Sequence, residues 1–572
     1  MKLIFSELIL LITKKQERNI GIIIKFFAAL IAMVTVYSIL FHFLMIFENR
    51  EFSWVTGFYW TLTVMSTLGF GDITFTTDLG KVFSIIVLMS GIVFLLTMLP
   101  FTFIQFFYLP WLEAQAKAKA PRGLPEGTKD HVILTNYDPV TVNLVEKFRQ
   151  YHNEYVIVME DLQQALELQD LDFRVAVGDL DDPQTYQRLK AENAALVVAN
   201  IDDMMNTNIA FTIREISQEV PIVVNADLDD SVDILELAGS TYVFQFMKML
   251  GQSLALRVLG TSTRSNVIGK IESLLIAEAP AMRTPLVGKT LMQSQLRETI
   301  GINVVGVWER GRFNIPTAQT LIHSTTVLLL AGSADQFNEY DEKFGRYKKY
   351  HAPVLILGGG RVGRAAGEAL MRRNIDYRII EKRQKLIEDE RYIYGSAADI
   401  NTLMQAGIKK APSIIITTHD DPTNIYLTIY CRRLCPDIQI ISRANLDRNI
   451  SKLHTAGGDL VMSYASMAAN TILNLLKPDE LVMLAEGLNI FRVDVPPSYV
   501  GKSLAESQIR TQTDCNVIAI CDQGTTCINP GPSHLFGENN QLILIGSGEA
   551  ESRFFKMHSE MRKIKASQTQ WR

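Results

Sequence analysis

Two long apolar runs near the start of the chain constrain its fold more than any other feature. The first, Ile20–Phe47, is apolar apart from Lys25 and His42, and the second, Val82–Leu109, contains no charged residue. A helix needs about 20 apolar residues to cross a bilayer, so each run is long enough to span. Each is also too long for the core of a signal peptide. We therefore predict two membrane-spanning helices, rather than two buried helices of a soluble protein.

The charges around these runs indicate how the protein is oriented. The loop between the runs has no excess of basic residues, whereas both outer flanks do: Lys14, Lys15 and Arg18 on one side, Lys117, Lys119 and Arg122 on the other. The positive-inside rule then places both termini in the cytoplasm of a multi-pass protein of the cell (inner) membrane. The apolar stretch Leu3–Ile12 is too short to span, and is either an interfacial helix or a disordered tip.

Composition excludes several classes of function for the rest of the chain. The net charge of the 572 residues is only −5, which disfavours a nucleic-acid partner bound through a broad basic surface. Five cysteines lie in the C-terminal third, an odd number without C-x-x-C spacing. Neither a disulfide framework nor a zinc site is indicated, and a reducing cytosolic environment is expected for this part.

The sequence after residue 130 repeats itself. Residues His131–Phe148 align with Pro353–Leu370, each a short apolar strand followed by a helical pattern, and Thr284–Leu291 aligns with Pro497–Leu504. Each copy therefore begins with alternating strands and helices, which predict a Rossmann-like, doubly wound parallel sheet. Each copy ends in a smaller, strand-rich α+β lobe. Repeats of this length indicate duplicated domains and not a solenoid.

The second copy carries a glycine-rich loop typical of nucleotide binding. Gly358, Gly360 and Gly363 form G-x-G-x-x-G between a predicted strand and a predicted helix. The first glycine allows a tight turn, the second lets backbone amides approach a pyrophosphate, and the third permits close helix–strand packing. Glu381, at the end of the next strand, can accept hydrogen bonds from a ribose, and Arg361 adds a cation near the phosphates. We predict an adenine nucleotide, NAD or ADP-like, at these five residues.

The first copy has lost this loop. Asn136, Asp138 and Thr141 stand where the glycines would be, and Pro139 removes an amide donor. The side chains would crowd a pyrophosphate, so we expect the first copy to be structural or to bind something else.

Two acidic clusters of the first copy offer hard oxygen ligands. They contain Asp179, Asp181, Asp182 and Asp227, and carboxylates of this kind can hold a divalent cation such as calcium. A solvated acidic surface is the alternative interpretation.

No catalytic set accompanies the nucleotide loop. His419 and His454 have no evident nucleophile or metal partners in the sequence, and no separate substrate domain is present. The pattern favours a nucleotide sensor over a hydride-transfer enzyme.

The loop between the two apolar runs contains the hexapeptide TLGFGD, residues Thr67–Asp72. It resembles the selectivity filter of potassium channels, in which glycines adopt backbone angles closed to other residues, so that successive carbonyls face one axis. Four copies of such a segment replace the hydration shell of a potassium ion. On this resemblance the filter residues are Thr67, Leu68, Gly69, Phe70, Gly71 and Asp72, with Leu68 and Phe70 packed behind the filter and Asp72 bracing its outer mouth. Residues Phe52–Ser66 form the preceding pore helix.

Taken with the tandem repeats, the chain resembles a prokaryotic two-transmembrane, ligand-gated potassium channel with RCK (regulator of potassium conductance) domains. The resemblance implies a homotetramer whose eight RCK domains form a cytoplasmic gating ring. It also implies that Gly91 is the hinge glycine of the inner helix, while Pro100 departs from the family pattern and predicts a segmented inner helix.

The sequence predicts a cytoplasmic or interfacial segment at 1–18, the pore domain at 19–110 and a linker at 111–129. The first RCK domain has its Rossmann-like lobe at 130–265 and its C-terminal lobe at 266–350. The second has its Rossmann-like lobe at 351–480 and its C-terminal lobe, with the tail, at 481–572.

The function expected is a potassium-selective channel gated by a cytosolic adenine nucleotide, with possible modulation by a divalent cation. One alternative is a nucleotide-binding regulatory component of a potassium transporter, although such pores need several filter-like hairpins per chain and one is present here. A membrane-tethered NAD-dependent enzyme is a third interpretation. Whether the nucleotide activates or inhibits does not follow from the sequence.

Overall fold

The computed structural model describes residues 16–109, 111, 121–258, 265–271, 273–282, 284–309, 312–344, 352–476, 481–483, 488–522 and 525–558. The chain divides into two compact units, Met1–Ala120 and Pro121–Arg572. The predicted interfacial helix at Leu3–Ile12 lies outside the described residues, as does most of the predicted linker before residue 121.

The N-terminal unit consists of helices with long apolar sequences. They are α1 Gln16–Phe47, α2 Trp54–Met65, α3 Asp78–Gly91, a π-helical segment Ile92–Met98, α4 Leu99–Phe103 and a second π-helical segment Ile104–Tyr108. Two stretches, Lys25–Phe47 and Asp78–Phe103, are long and apolar enough to cross a membrane, and less than a quarter of each is buried within the chain. A buried helix of a soluble protein would hide its apolar surface, so these helices suit a lipid environment.

Side-chain caps decide where two of these helices begin. The hydroxyl of Ser53 accepts a hydrogen bond from the amide of Thr56 at the start of α2, and Thr77 does the same for Gly80 at the start of α3. Each cap satisfies an amide that lacks a partner within the helix. The short helix α2 therefore starts and ends within the loop that joins α1 to α3.

Aromatic residues form the core of the N-terminal unit. Phe41 of α1 stacks on Trp60 of α2, with ring centroids 4.9 Å apart, and Trp60 stacks on Phe83 of α3 at 5.7 Å. Phe75 packs edge-on against Phe41 and Trp60. The core thus fixes α2 between the two long helices.

The second span, from α3 to Tyr108, is the predicted inner helix, and its hydrogen bonding divides it into segments. Its hydrogen bonding changes from α to π after Gly91, returns to α at Leu99–Phe103, and is again π from Ile104. Pro100 lies in the first turn of α4, a position where a proline is tolerated because its missing amide is not required. The change of hydrogen bonding, and not a break in the chain, accommodates the proline.

The first Rossmann-like lobe contains a six-stranded parallel sheet of order β3-β2-β1-β4-β5-β6. The strands are β1 Val132–Leu134, β2 Tyr155–Met159, β3 Val175–Val177, β4 Leu196–Ala199, β5 Ile222–Asn225 and β6 Tyr242–Phe244. Its helices are α5 Pro139–Tyr151, α6 Leu162–Asp170, α7 Pro183–Arg188, α8 Asp203–Arg214, α9 Val232–Leu237 and α10 Phe246–Leu256. Nearly every residue of β1, β2, β4 and β5 is buried, as expected for a sheet covered by helices on both faces.

A smaller antiparallel lobe follows, of order β10-β9-β11-β8-β7. Its strands are β7 Asn266–Ile271, β8 Leu274–Pro280, β9 Asn303–Glu309, β10 Arg312–Asn314 and β11 Thr326–Gly332, and its helices are α11 Leu291–Ser294, α12 Leu296–Ile300 and α13 Ala334–Phe344.

The second copy repeats this arrangement, with a parallel sheet of order β14-β13-β12-β15-β16-β17. The strands are β12 Val354–Leu357, β13 Tyr377–Glu381, β14 Tyr392–Tyr394, β15 Ser413–Ile416, β16 Gln439–Ala444 and β17 Leu460–Ser463. The helices are α14 Arg361–Arg372, α15 Ile400–Ala406, α16 Asp421–Leu434, α17 Ile450–Thr455 and α18 Tyr464–Leu476. Strand β12 pairs with both β13 and β15, so the strand order reverses at β12.

The second antiparallel lobe has the order β18-β19-β22-β20-β21. Its strands are β18 Leu481–Met483, β19 Leu488–Asp494, β20 Asn516–Asp522, β21 Thr525–Ile528 and β22 Gln541–Ser547, and its helices are α19 Leu504–Ser507, α20 Ile509–Thr513 and α21 Gly548–Met557. Short 3₁₀ turns occur at Ala191–Asn193, Asp229–Ser231, Gln384–Leu386, Asp447–Asn449 and Pro497–Tyr499. The predicted fold class is confirmed, while the exact domain limits stay predictions.

The last helix of each Rossmann-like lobe packs on the other copy. Helix α10 of the first lobe packs along α14 of the second, and α18 of the second packs along α5 of the first. Gly251 of α10 makes the first crossing possible, because a Cβ atom there would lie 2.4 Å from the carbonyl oxygen of Val362. Each crossing belongs to a large buried core that mixes residues of both copies.

Candidate functional site

The segment Thr67–Asp72 has an alternating backbone conformation. Thr67, Gly69 and Gly71 have positive φ angles of 63°, 46° and 74°. The two glycines adopt the left-handed region that their residue type allows. Thr67 adopts it as well, although a β-branched residue rarely does. Positive φ angles at Gly69 and Gly71 are the backbone angles expected of a filter, and an ion path lined by successive carbonyls stays a prediction.

The pore helix α2 holds this segment from behind. The carbonyl oxygen of Thr63 accepts hydrogen bonds from the amides of Leu68 at 3.0 Å and Gly69 at 3.2 Å. The hydroxyl of Tyr59 donates to Asp72 Oδ2 at 3.0 Å, and the Tyr59 ring stacks on Phe70 with a centroid separation of 6.4 Å. Both ends of the hexapeptide are therefore anchored to one helix.

A second set of contacts joins the outer end of α1 to the start of α3. The carboxylate of Glu48 accepts hydrogen bonds from the amide and hydroxyl groups of both Thr76 and Thr77, at 2.6–3.1 Å. These bonds, above all that from the Thr77 hydroxyl, lower the pKa of Glu48 to about 2. The guanidinium of Arg50 donates to the carbonyl of Thr74 at 2.7 Å. The loop after the filter is thus bound to the end of the outer helix.

Gly91 lies where the inner helix touches the end of the pore helix. A Cβ atom at Gly91 would lie 2.3 Å from both the Cα and the carbonyl oxygen of Met65. Gly91 is therefore a point of close contact between the two helices. The change from α to π hydrogen bonding after Gly91 leaves the hinge as a prediction.

The second Rossmann-like lobe contains a cavity of about 490 Å³ at the carboxyl ends of its parallel strands. It is lined by the loop before α14, by the segments that follow β13, β14 and β15, by Arg443 of β16, and by Met247 of α10 from the first copy. The cavity lies where the strand order reverses, between β12 and β15. Ligands of doubly wound sheets bind at this position.

The three glycines of the loop do what their spacing predicts. Gly358 has a φ of 115°, which only glycine adopts readily. A Cβ atom at Gly363 would lie 1.9 Å from the carbonyl oxygen of Gly358, so only glycine permits this helix–strand approach. At Gly360, by contrast, the nearest atom to an added Cβ is Arg383 Nη2, at 3.6 Å. Gly360 leaves the N-terminus of α14 open to an anion.

Glu381 lines the same cavity and is nearly buried. Its carboxylate accepts hydrogen bonds from the amide of Gly359 at 2.7 Å, and from the amide and guanidinium of Arg383 at 2.9 and 3.0 Å. Burial acts to raise the pKa of Glu381, but these hydrogen bonds outweigh it and the pKa lies below its usual value. The carboxylate is therefore ionised and held by these donors at the wall of the cavity.

Arg443 is a cavity residue that the sequence reasoning missed. It lies in β16, is only 4% exposed, and its Nε has no hydrogen-bond partner among the described residues. Burial lowers the pKa of Arg443 to about 10, so the guanidinium still carries its charge at neutral pH. A buried cation without a full set of partners is unfavourable, and an anion in the cavity would relieve this.

The cavity lining has an excess of positive charge. Its ionisable side chains, histidine apart, are Arg361, Lys382, Arg383, Arg443, Glu381 and Asp420, four cations against two carboxylates. The lining therefore suits a ligand with phosphate groups better than a neutral one.

Three family models match segments of the chain. A model described as an ion channel matches residues 27–108. The TrkA-N domain matches residues 132–245 and 354–464, and the TrkA-C domain matches residues 279–345 and 488–559.

A solved structure of the GsuK channel is 36% identical in sequence, covers 94% of this chain and 99% of its own, and has a TM-score of 0.58. This chain belongs to the potassium channels with tandem RCK domains. A structure titled as the GsuK channel bound to NAD is also 36% identical, with coverage of 95% and 99% and a TM-score of 0.56. The probable potassium channel protein 2 of Methanocaldococcus jannaschii is 25% identical over 243 residues, which are 39% of this chain and 71% of that protein.

In the channel's first copy the loop is filled by its own side chains. Asp138 Oδ1 accepts from the amide of Thr141 at 2.7 Å, and so caps α5 where an anion would otherwise bind. Asn200 donates to Asp138 Oδ2 at 2.5 Å, and Asn136 donates to the carbonyl of Asn200 at 2.9 Å. A carboxylate of the chain itself already occupies this helix N-terminus, and the expectation that the first copy is structural or binds something else stays a prediction.

The predicted divalent site is not assembled. No cluster of three or more histidine, cysteine or acidic side chains suited to a metal occurs in the described part of the channel. Asp182 caps α7 and pairs with Arg188, while Asp227 pairs with Arg361. Asp179, Asp181 and Asp182 are close in sequence, whereas Asp227 is not, and the carboxylates of Asp182 and Asp227 already pair with arginines.

Other site residues had no signal in the sequence. Met247, Tyr59 and Glu48 act through contacts with segments distant from their own position. Arg443 could have been found, because it lies at the carboxyl end of a predicted strand, where ligand-binding side chains converge. His419 also lines the cavity, whereas His454 is buried elsewhere, with Nδ1 3.0 Å from the carbonyl oxygen of Gly458.

Proposed function

We propose that this potassium channel is gated by a cytosolic adenine nucleotide, NAD or ADP-like, bound in the cavity of the second Rossmann-like lobe. The observation that carries the proposal is Arg443, a buried guanidinium with an unpartnered Nε in a cavity that also contains an open helix N-terminus. The sequence similarity to a channel whose structure is titled as bound to NAD supports the choice of ligand.

The residues present fit such a ligand. The amides at the start of α14, with Arg361 and Arg443, would hold the phosphates, and Glu381 would accept hydrogen bonds from a ribose. Apolar side chains such as Leu427 also line the cavity and suit an aromatic ring. The nucleotide supplies negative charge and a planar ring, and no bond need be made or broken. We infer that it acts as a gating ligand and not as a substrate.

The assembly we propose is a homotetramer in the cell (inner) membrane, with both termini and a ring of eight RCK domains on the cytoplasmic side. A ring of carbonyls around an ion needs several copies of one segment. In the single chain, Leu68 and Phe70 are 63% and 66% exposed, and neighbouring chains would cover these apolar side chains. Potassium ions would then occupy the filter formed by Thr67–Asp72.

Gating requires only that the nucleotide bind one state of the gate more tightly than the other. The channel should be purified, reconstituted into planar bilayers, and its potassium current recorded with and without NAD or ADP on the RCK side. We expect the open probability to change with nucleotide, and the direction of the change will show whether the ligand activates or inhibits. A wild-type current that ignores both nucleotides contradicts the proposal.

The variant Gly360→Asp tests the position of the site. Gly360 aligns with Asp138, whose carboxylate caps the equivalent helix of the first copy. An aspartate at 360 should cap α14 in the same way and exclude the phosphates, so the nucleotide response should disappear while the potassium current remains. Gly531→Asp adds the same charge at a glycine with no atom within 4 Å of an added Cβ, and should respond as the wild type does. A normal response of Gly360→Asp would show that the site is misplaced.

Modulation by a divalent cation such as calcium remains a separate prediction without an assembled ligand set. Calcium titration of the open probability, at fixed nucleotide concentration, tests it directly.

A further inference from the structure

One ion pair joins the two Rossmann-like lobes beside the cavity. The guanidinium Nη1 of Arg361 pairs with Oδ1 of Asp227. Arg361 is the first residue of α14, immediately after Gly360, and Asp227 lies in the loop that follows β5 of the first lobe. Their side chains are 43% and 34% exposed, so solvent and solutes can reach the pair.

The same arginine lines the cavity at the helix N-terminus. Arg361 therefore has two potential anionic partners: the carboxylate of Asp227 and a phosphate of the bound nucleotide. A diphosphate carries more negative charge than one carboxylate, and a guanidinium binds phosphate through paired hydrogen bonds. A half-exposed ion pair between side chains contributes little to stability and is easily exchanged.

The other contacts between the first lobe and this cavity cannot be replaced by contacts with a phosphate. Met247 of α10 lines the cavity, and its helix is fixed against α14 at Gly251, where an added Cβ would lie 2.8 Å from the Cβ of Ala365. The loop that carries Asp227 has a further link to its own lobe, because the Asp227 amide donates to Asp203. Among the described residues, the first lobe thus meets the cavity through Met247 of α10 and through the Arg361–Asp227 pair.

We propose that Asp227 and the phosphates of the nucleotide compete for Arg361, so that ligand binding in the second lobe releases the Asp227 loop of the first. The inference rests on the proposed function, and it names how the first copy, which lacks a glycine loop, takes part in nucleotide sensing. Because binding and release are linked, the intact pair must weaken nucleotide binding to the same extent that the nucleotide weakens the pair. A ligand without phosphates, such as adenosine, cannot compete.

The test measures NAD and adenosine binding to the purified full-length channel by isothermal titration calorimetry. Asp227→Asn removes the competitor and should strengthen NAD binding about twofold to fivefold, the range set by an exposed ion pair, without changing adenosine binding. Asp230→Asn removes the same charge from the same loop and should bind NAD as the wild type does. In an Arg361→Gln background, Asp227→Asn should have no further effect on NAD affinity.

The outcomes separate this inference from the proposed function. If the wild-type channel does not bind NAD or ADP, the proposed function fails and the competition fails with it. If the wild type binds NAD but Asp227→Asn binds it equally or more weakly, only the competition is wrong. A second variant, Asp227→Ser, guards against a folding defect peculiar to Asp227→Asn. Its fold is checked by an elution volume equal to that of the wild type.

Discussion

The hydroxyl of Tyr59 in the pore helix donates a hydrogen bond to the carboxylate of Asp72, the last residue of the filter segment, across 3.0 Å. This bond, with the stacking of Tyr59 on Phe70, ties the end of the predicted filter to helix α2, which packs against both spans. The carbonyl geometry of the filter therefore depends on a side chain that touches no ion.

Removal of this bond should destabilise the conducting filter. Tyr59→Phe keeps the ring and its stacking but loses the donor, so the equilibrium should shift from the conducting toward the collapsed filter. Single-channel recording should show shorter openings at unchanged conductance. In an Asp72→Ala background the same substitution should add nothing further, and an equal effect in both backgrounds would contradict the role of the bond.

Gly91→Ala should disrupt the pore domain itself. The added methyl group would lie 2.3 Å from the backbone of Met65, so the inner helix or the end of the pore helix must move. We expect a lower yield of assembled channel on size exclusion, together with loss of current. Ser90→Ala, which removes only a hydrogen bond to the carbonyl of Val87 in the same helix, is the control. Normal assembly with altered gating alone would instead favour a hinge.

Acid on the filter-mouth side should leave the Glu48 contacts intact. Because hydrogen bonding lowers the pKa of Glu48 to about 2, its contribution is present above the ordinary glutamate pKa and is lost only as the pH falls through about 2. Currents recorded from pH 7 to about pH 4 should show no titration that depends on Glu48. Glu48→Gln should weaken the contacts already at neutral pH. A change in the wild-type current with a midpoint near the ordinary glutamate pKa, absent from Glu48→Gln, would refute this assignment.

A buried polar cluster between copies should contribute to the stability of the RCK region. The hydroxyl of Tyr151 donates to Glu551 Oε2 at 2.6 Å, and Asn489 donates to the same oxygen at 2.8 Å. Tyr151→Phe leaves this buried carboxylate short of a donor, which costs about 1.5–3 kcal/mol. Thermal unfolding of the detergent-solubilised channel should show a lower Tm. Tyr426→Phe, at a tyrosine that is 54% exposed, should leave the Tm unchanged. An equal decrease in Tm for both variants would contradict the contribution of the cluster to stability.

The features predicted from sequence are those with local causes. The filter glycines and the loop at Gly358 are each specified by short-range backbone requirements, and alternating strand and helix patterns are sufficient to predict the parallel sheets. Pro100 likewise predicts a segmented helix, because a proline cannot continue the regular hydrogen bonding of a helix interior.

The features missed depend on contacts between distant segments. Asp227 and Arg361 belong to different copies, and Met247 reaches the nucleotide cavity only because α10 crosses onto α14. For the predicted divalent site, which stays a prediction, the sequence could not show that Asp227 pairs with Arg361 of the other copy. Sequence spacing specifies which groups are near along the chain, and the helix exchange between copies decides which groups meet.

That exchange of terminal helices has a consequence for how such a chain can be divided. Because α10 completes the second lobe and α18 completes the first, neither repeat is a self-sufficient folding unit, despite its full Rossmann topology. A gene fragment encoding only one repeat would yield a polypeptide with a bare apolar helix and a bare groove. Two such polypeptides could bury each other's apolar helix in the other's groove. The arrangement within this single chain is therefore that of two interlocked subunits fused end to end.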